Sequence, residues 1–163
     1  MDEEVHVEAE RSMRFAPDVA VLASVRDFAE AAADALGSTV DRADLAVIVG
    51  ELAANAAIHQ DREAELTVRR RADGGLLVEV SDGDTAQPRM VDGEVSGMRG
   101  HRGMFLVDVL SEAWGVEPSW DGKRVWALVP PASRRDETVA GAAGTEAEEA
   151  PAQVSSRRSA PRG

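Results

Sequence analysis

Glu51 and Asn55 stand four residues apart within the segment 44–59, and their types and spacing are suited to chemistry. On a helix the two side chains lie on one side, one turn apart. A carboxylate and a carboxamide so placed can share a metal ion and an attacking group. The apolar stripe of the same helix consists of Leu45, Ile48, Val49 and Leu52. The polar pair falls on the border of this stripe, which predicts that it is hydrogen-bonded or bound to a ligand, because unpartnered burial of polar groups is unfavourable.

The elements that must position this pair follow from the hydrophobic spacing along the chain. In chain order we predict a strand over 5–15, a helix over 18–37, a helix over 41–59, strands over 64–71 and 76–81, a helix around 104–110, and a hairpin over 114–129. Asp18 is the expected N-cap of the first helix, and Gly37 its end. Strands and helices in separate runs indicate an α+β fold with helices covering one sheet face.

Two other segments place polar groups at the ends of elements. Asp82 follows an apolar strand and precedes a turn, so its carboxylate could accept a hydrogen bond from an exocyclic amine such as that of adenine. Gly100, Arg102 and Gly103 lie directly before an apolar helix, whose free N–H groups favour binding of phosphates. Each signal alone is weak, since Asp-Gly is also a common turn and glycine pairs are common joints.

Histidine ligation of a metal is not expected. The chain has three histidines and no cysteine, which does not supply a zinc set. His59 lies one helical turn beyond Asn55, and we expect it to bond a neighbour rather than a metal.

Composition narrows the class of protein. With 163 residues we expect one domain over 1–131 and a disordered tail over 132–163, because the tail has no aromatic residue, Leu, Ile or Met. The net charge of −12 argues against direct nucleic-acid binding, and Arg69 to Arg71 is interpreted as a solvated strand end. No apolar run could cross a membrane, and the lack of cysteine and of a secretory signal favours the cytoplasm. Lys123 is the only lysine, which excludes a P-loop.

In their order and spacing these motifs resemble the GHKL family of ATP-binding domains, which includes histidine kinases and gyrase-type ATPases. Residues 51–59 resemble its N box, 80–84 its first glycine box, and 100–108 its second. The segments 114–116 and 122–126 are similar to the last strands of the anti-sigma-factor serine kinase branch. The resemblance spans roughly residues 12–130. It implies the Bergerat-type ATP-binding fold, a two-layer α/β sandwich with helices on one face of a mixed, mainly antiparallel sheet.

The resemblance also implies roles for individual residues. Glu51 would be the catalytic base, Asn55 would bind Mg²⁺ at the ATP phosphates, and Asp82 would hold the adenine amine. The segment 85–102 would form a lid over the nucleotide. The cofactor-binding set implied in this way is Asn55, Asp82, Gly83, Gly100, Arg102, Gly103 and Met104.

The implied function is that of an ATP-dependent protein serine/threonine kinase and anti-sigma factor. It would transfer the γ-phosphate of ATP to a serine or threonine of an anti-anti-sigma (STAS-type) partner, and it could also sequester a sigma factor. Members of this branch commonly dimerise, so the resemblance implies a homodimer as well.

Two alternatives remain open from the sequence. One is a nucleotide-binding switch with weak or no phosphotransfer. Asp84 favours it, since it replaces a glycine of the first glycine box, and so does Arg124, at the apparent place of a threonine beside adenine. His101 adds a further side chain near the phosphates. The other is an acidic helical interaction domain without a ligand, in which Glu51 and Asn55 are a surface pair.

Overall fold

A computed structural model of the chain describes residues 7–58, 62–82, 100–119 and 122–142. Its strands are β1 (Val7–Phe15), β2 (Ala64–Arg71), β3 (Leu76–Asp82), β4 (Ala113–Ser119) and β5 (Gly122–Val129). Its helices are α1 (Leu22–Ala35), α2 (Arg42–Ile58), α3 (Gly100–Leu110) and α4 (Ala132–Ala142). Every predicted strand and helix is present, and α4 is an addition. None of the described helices is long and apolar enough to cross a membrane.

The strands form one sheet in the order β1-β2-β3-β5-β4. All four neighbouring pairs are antiparallel, so the described sheet is antiparallel throughout rather than mixed. For two of these pairs, β2–β3 and β4–β5, the strands are joined by short connections, which favour antiparallel pairing. Helices α1, α2 and α3 cover one face of the sheet, which confirms the predicted α+β sandwich.

The hydrophobic core lies between this sheet face and the helices. Alternate residues of β2, β3 and β5 point into it, as a period of two requires. The sheet contributes Leu66, Val68, Leu76, Val78, Val80, Val125, Ala127 and Val129, and the helices contribute Val25, Ala29, Leu45, Ile48, Val49, Leu52 and Val107. Burial of these side chains removes apolar surface from water and is the main force that holds α2 on the sheet.

The first helical segment begins and ends where the sequence predicts. The Asp18 side chain accepts a hydrogen bond from the backbone N–H of Ala20 at 2.9 Å, capping a short 3-10 turn that leads into α1. At the other end Gly37 has a φ of 66°, a left-handed conformation that glycine adopts without steric cost. Ser38 Oγ then donates to the carbonyl of Gly74 at 2.9 Å and ties this corner to the β2–β3 turn.

The other face of the sheet carries a row of alternating charges, one from each strand, which we call the ion-pair ladder. Arg69 Nε lies 2.8 Å from Glu10 Oε2, and the same guanidinium also contacts Glu79. Arg124 continues the row, with its Nε 3.4 Å from Glu79 Oε1 and its Nη2 2.5 Å from Glu117 Oε2. The pKa of Arg69 is raised, chiefly because its guanidinium donates a hydrogen bond to Glu10. Burial opposes this effect, and the charges of Glu79 and Glu10 raise the pKa further. Arg69, the first residue of the arginine run, therefore meets carboxylates rather than solvent alone.

Helix α4 corrects the prediction of disorder for residues 132–142. Arg134 contacts Glu112, and its Nη2 lies 3.1 Å from Asp73 Oδ2, while Arg135 contacts Asp44 near the start of α2. The tail lacks large apolar residues, but ion pairs of Arg134 and Arg135 hold the start of α4 on the domain. Residues 143–163 lie outside the described part.

Candidate functional site

Helix α2 presents the Glu51 and Asn55 pair at the edge of the core. Ile48 and Leu52 are buried against the sheet, whereas Glu51 and Asn55 are each half-buried one turn apart. The predicted border position is therefore confirmed. A half-buried carboxylate keeps access to a reacting group, and its surroundings restrict the positions it can take.

Asn55 is joined to α3 through Met104. Asn55 Nδ2 donates a hydrogen bond to Met104 Sδ at 3.2 Å, across 49 positions of sequence. Sulfur is a weak acceptor with no proton to give, so the amide nitrogen faces it. The carboxamide oxygen is then the atom of Asn55 suited to a cation, because magnesium takes oxygen ligands. Met104 was predicted to bind cofactor, and the structure places it beside the proposed metal ligand.

Asp82 is the last residue of β3, one position beyond the predicted end of the strand, and its side chain is only 2% exposed. Lys123 stands directly opposite it on β5. Lys123 Nζ lies 3.7 Å from Asp82 Oδ2, and the lysine side chain is 9% exposed. Lys123 is not among the residues to which the sequence motifs point. The signal was present in the alternation of β5, where Lys123 shares its sheet face with the core residue Val125.

Arg124 does not stand on the side of Asp82, which corrects the position considered for it beside adenine. Its side chain lies on the opposite face of the sheet, in the ladder with Glu79 and Glu117. Successive residues of a strand point to opposite faces, so Lys123 and Arg124 cannot both face the helices. Lys123 takes the inward position.

The second glycine motif opens α3. Gly100, Arg102 and Gly103 lie in its first turn, within the helix rather than ahead of it. Val107 anchors α3 in the core, and Trp114 Nε1 donates to Asp108 Oδ1 at 2.9 Å, which ties the helix to β4. The backbone of the predicted anion site is therefore helical. The side chains of residues 100–103, together with residues 59–61 and 83–99, lie outside the described part, so the predictions for Gly83, His59, Asp84, His101 and the lid remain predictions.

A self-contained metal centre is not built by these residues. Among residues 7–58, 62–82, 100–119 and 122–142, no three or more His, Cys, Asp or Glu side chains come together in a way that could hold an ion. The donor set instead fits magnesium bound by a single amide oxygen and the phosphates of a nucleotide, since Mg²⁺ commonly takes few protein ligands and several from phosphate and water.

The described residues thus combine an antiparallel sheet covered on one face by helices, an inward carboxylate at the end of β3, and a Glu–Asn pair on α2. The chain matches the family model "Histidine kinase-like ATPase domain" over residues 15–128, and it belongs to that family. The match agrees with the GHKL-type resemblance of the motifs.

Among solved structures, the chain is similar to the histidine kinase domain from Erythrobacter litoralis EL346 blue-light activated histidine kinase. The identity is 20%, the TM-score is 0.48, and the match covers 69% of this chain and 63% of that chain. The chain therefore matches less than two thirds of the length of that structure. A comparison with curated proteins found no match.

Proposed function

We propose that this chain is an ATP-dependent protein serine/threonine kinase that acts in the cytoplasm as an anti-sigma regulatory factor. Its substrate would be a serine or threonine of an anti-anti-sigma, STAS-type protein, and a sigma factor would be its second partner. The observation that carries the proposal is the half-buried Glu51 and Asn55 pair on α2, with the Asn55 carboxamide oriented by Met104 of α3.

In this proposal each predicted site residue has one task in nucleotide binding. The Asp82 carboxylate accepts a hydrogen bond from the exocyclic amine of adenine. The Asn55 oxygen holds Mg²⁺, which neutralises charge on the phosphate oxygens when it is bound. The start of α3, with Gly100, Arg102 and Gly103, offers backbone N–H groups and positive charge to the phosphates. Gly83 allows the backbone close approach to the base.

Glu51 serves the transfer step. The hydroxyl oxygen of the partner attacks the γ-phosphorus, the new O–P bond forms, and the bond to the bridging oxygen of ADP breaks with its electron pair leaving on ADP. The hydroxyl proton passes to the Glu51 carboxylate. Such transfer depends on positioning and charge stabilisation more than on covalent help, so a glutamate held near the acceptor is sufficient as the base.

The binding part of the proposal is tested by thermal denaturation with and without Mg²⁺-ATP. A ligand that binds only the folded chain raises its melting temperature by linkage. We expect a rise for the native chain and none for Asp82→Asn. The matched control is Asp27→Asn on the exposed side of α1, which should keep the full rise. No rise for the native chain at saturating nucleotide would instead support the ligand-free interaction domain.

The transfer part is tested with labelled ATP and a STAS-type partner. We expect label on the partner with the native chain, and a loss of transfer with unchanged nucleotide affinity for Glu51→Gln. Glu30→Gln, an exposed position on α1, is the matched control and should transfer normally. A Glu51→Gln chain that transfers at the native rate would contradict the role assigned to this residue.

A nucleotide-binding switch that holds a partner without transferring phosphate is the second candidate. Asp84 favours it, because this residue replaces a glycine where the backbone must approach the ligand closely. Arg124 does not support it, because its side chain belongs to the ladder on the other face of the sheet. Nucleotide binding by the native chain, without label on the partner, would favour the switch.

A further inference from the structure

Lys123 is a buried charged residue to which the proposed function gives no task. Its side chain is 9% exposed, and it lies across from Asp82, which is 2% exposed. Taking an ammonium group out of water carries a large desolvation cost, which attraction to a buried carboxylate offsets only in part. Lysine side chains are long enough to reach solvent from many strand positions. Its burial here, on the core side of the sheet, therefore needs a reason.

The distance between the two groups is informative. At 3.7 Å, Lys123 Nζ and Asp82 Oδ2 form an ion pair that is longer than a direct charge-assisted hydrogen bond of about 2.7–2.9 Å. The two side chains are cross-strand partners in register, so the backbone holds them next to each other. They present a hydrogen-bond acceptor and a hydrogen-bond donor side by side at the end of β3.

This pattern matches one edge of adenine. The exocyclic amine of adenine is a donor, and the adjacent ring nitrogen N1 is an acceptor. A carboxylate accepts hydrogen bonds only, and an ammonium group donates only, so Asp82 and Lys123 together complement that edge.

We infer that Lys123 is a base-reading residue, which donates a hydrogen bond to N1 of adenine while Asp82 accepts one from the amine. The inference rests on the proposed function, since it requires ATP at this site. It assigns to this chain a charged donor for the ring nitrogen, in addition to the carboxylate for the amine. Arg124 has no part in it, because its side chain lies on the other face of the sheet.

The test compares nucleotides that differ by single atoms. Dissociation constants of the native full chain are measured calorimetrically, with Mg²⁺, for ATP, 1-deaza-ATP and 7-deaza-ATP. A site that hydrogen-bonds a ligand atom discriminates against the analogue that lacks it. We expect 1-deaza-ATP to bind about tenfold or more weakly than ATP, because a hydrogen bond to a charged donor is lost. We expect 7-deaza-ATP, which keeps N1, to bind like ATP.

The variant arm uses Lys123→Met, with Arg124→Met as its matched control on the opposite sheet face. Lys123→Met should weaken the binding of ATP by about tenfold and leave the affinity for 1-deaza-ATP unchanged. The preference for ATP over 1-deaza-ATP should therefore disappear. Arg124→Met should keep the native preference. Melting temperatures measured without nucleotide check that both variants fold. If Lys123→Met does not fold, the comparison of ATP with its analogues on the native chain still decides the role of Lys123.

The outcomes distinguish a failure of the proposed function from a failure of the role assigned to Lys123. If the native chain binds no nucleotide, the proposed function and this inference both fail. If it binds ATP and 1-deaza-ATP equally, or if Lys123→Met weakens both to the same degree, ATP binding stands and the role of Lys123 is overturned. The role of Lys123 would then be structural, as an ion-pair partner of Asp82.

Discussion

Asn55 donates a hydrogen bond to Met104 through Nδ2, at 3.2 Å from Sδ, and this contact joins α2 to α3. The first residue is the proposed magnesium ligand, and the second lies one position after the glycines proposed to meet the phosphates. This contact therefore connects the two parts of the proposed nucleotide site. The hydrogen bond orients the Asn55 carboxamide. It therefore reduces the conformational entropy that this side chain would lose when a ligand binds.

Replacing Met104 by Leu tests this connection. The volume is similar, so we expect a stability change below about 1.5 kcal/mol. The sulfur acceptor is lost, and we expect the affinity for Mg²⁺-ATP to fall about two- to fivefold, as for a weak hydrogen bond. Calorimetric titration measures the affinity. Met13→Leu on β1, away from this contact, is the control and should bind as the native chain does. Equal affinities for the native chain and Met104→Leu would remove the orienting role of the sulfur.

The contribution of the ion-pair ladder to the free energy of unfolding should depend mainly on its central residue, Glu79. Glu79 is buried with a side chain 8% exposed, and it contacts arginines from both neighbouring strands. We expect Glu79→Gln to lower the free energy of unfolding by about 1–3 kcal/mol, because two guanidinium groups lose their shared carboxylate. Glu117→Gln, at the exposed end of the row, should cost about 0–1 kcal/mol. Urea unfolding followed by tryptophan fluorescence measures both values, and equal costs would contradict the importance of burial.

The pH dependence of the ladder follows from Arg69. Its pKa is raised in the folded chain, so its contribution to stability is present below the unfolded pKa and is lost only as the pH rises through the higher folded value. That range is strongly alkaline. Between neutral and moderately alkaline pH, the stability difference between the native chain and Glu79→Gln should stay constant. A marked decline in that interval would show that another titrating group controls the ladder.

Replacing Gly115 or Gly50 by alanine should change the free energy of unfolding in opposite directions. Gly115 and Trp126 are cross-strand partners, and a Cβ on Gly115 would lie 2.8 Å from Trp126 Cζ2. Gly115→Ala must displace the indole, and we expect it to lower the free energy of unfolding by about 1–3 kcal/mol. At Gly50, within α2, an added Cβ would meet only the flexible Arg26 side chain at 3.5 Å. Gly50→Ala should stabilise by about 0.5–1 kcal/mol through helix propensity. Denaturant unfolding of the two variants should give these opposite signs.

Ion pairs hold helix α4 on the domain, so the stability of this helix should depend on salt. Glu112 is the largest cause that raises the pKa of Arg134, and Asp73 contributes further. We expect hydrogen exchange of the α4 amides to accelerate in molar salt, because partly exposed ion pairs are screened, while the buried α2 amides stay protected. The double substitution Arg134→Ala and Arg135→Ala should accelerate exchange at low salt in the same way. Glu137→Ala, which also adds a helix former at an exposed position, should not.

Local sequence patterns determined most of the secondary structure and the position of Glu51 and Asn55 at the edge of the core. The strand over 64–71 was predicted with its observed bounds, and Asp18 caps the first helical segment as expected. The reason is that helix and strand periods, caps and turns depend on residues close together in the chain. The half-burial of Glu51 and Asn55 followed from the same source, since it needs only the position of the apolar stripe on α2.

Contacts between distant segments were decided only in the tertiary structure. The sequence shows that side chains alternate along β5, but not which of them face the helices. The pairing of β5 with β3 determines that Lys123, and not Arg124, lies on the side of Asp82, because a shift by one residue would exchange the two faces. The contact of Asn55 with Met104 and the docking of α4 through Arg134 and Arg135 likewise need partners brought together by the fold. The sequence by itself therefore determined which residues are available for nucleotide chemistry, and the packing of the sheet and helices determined which of them face one another.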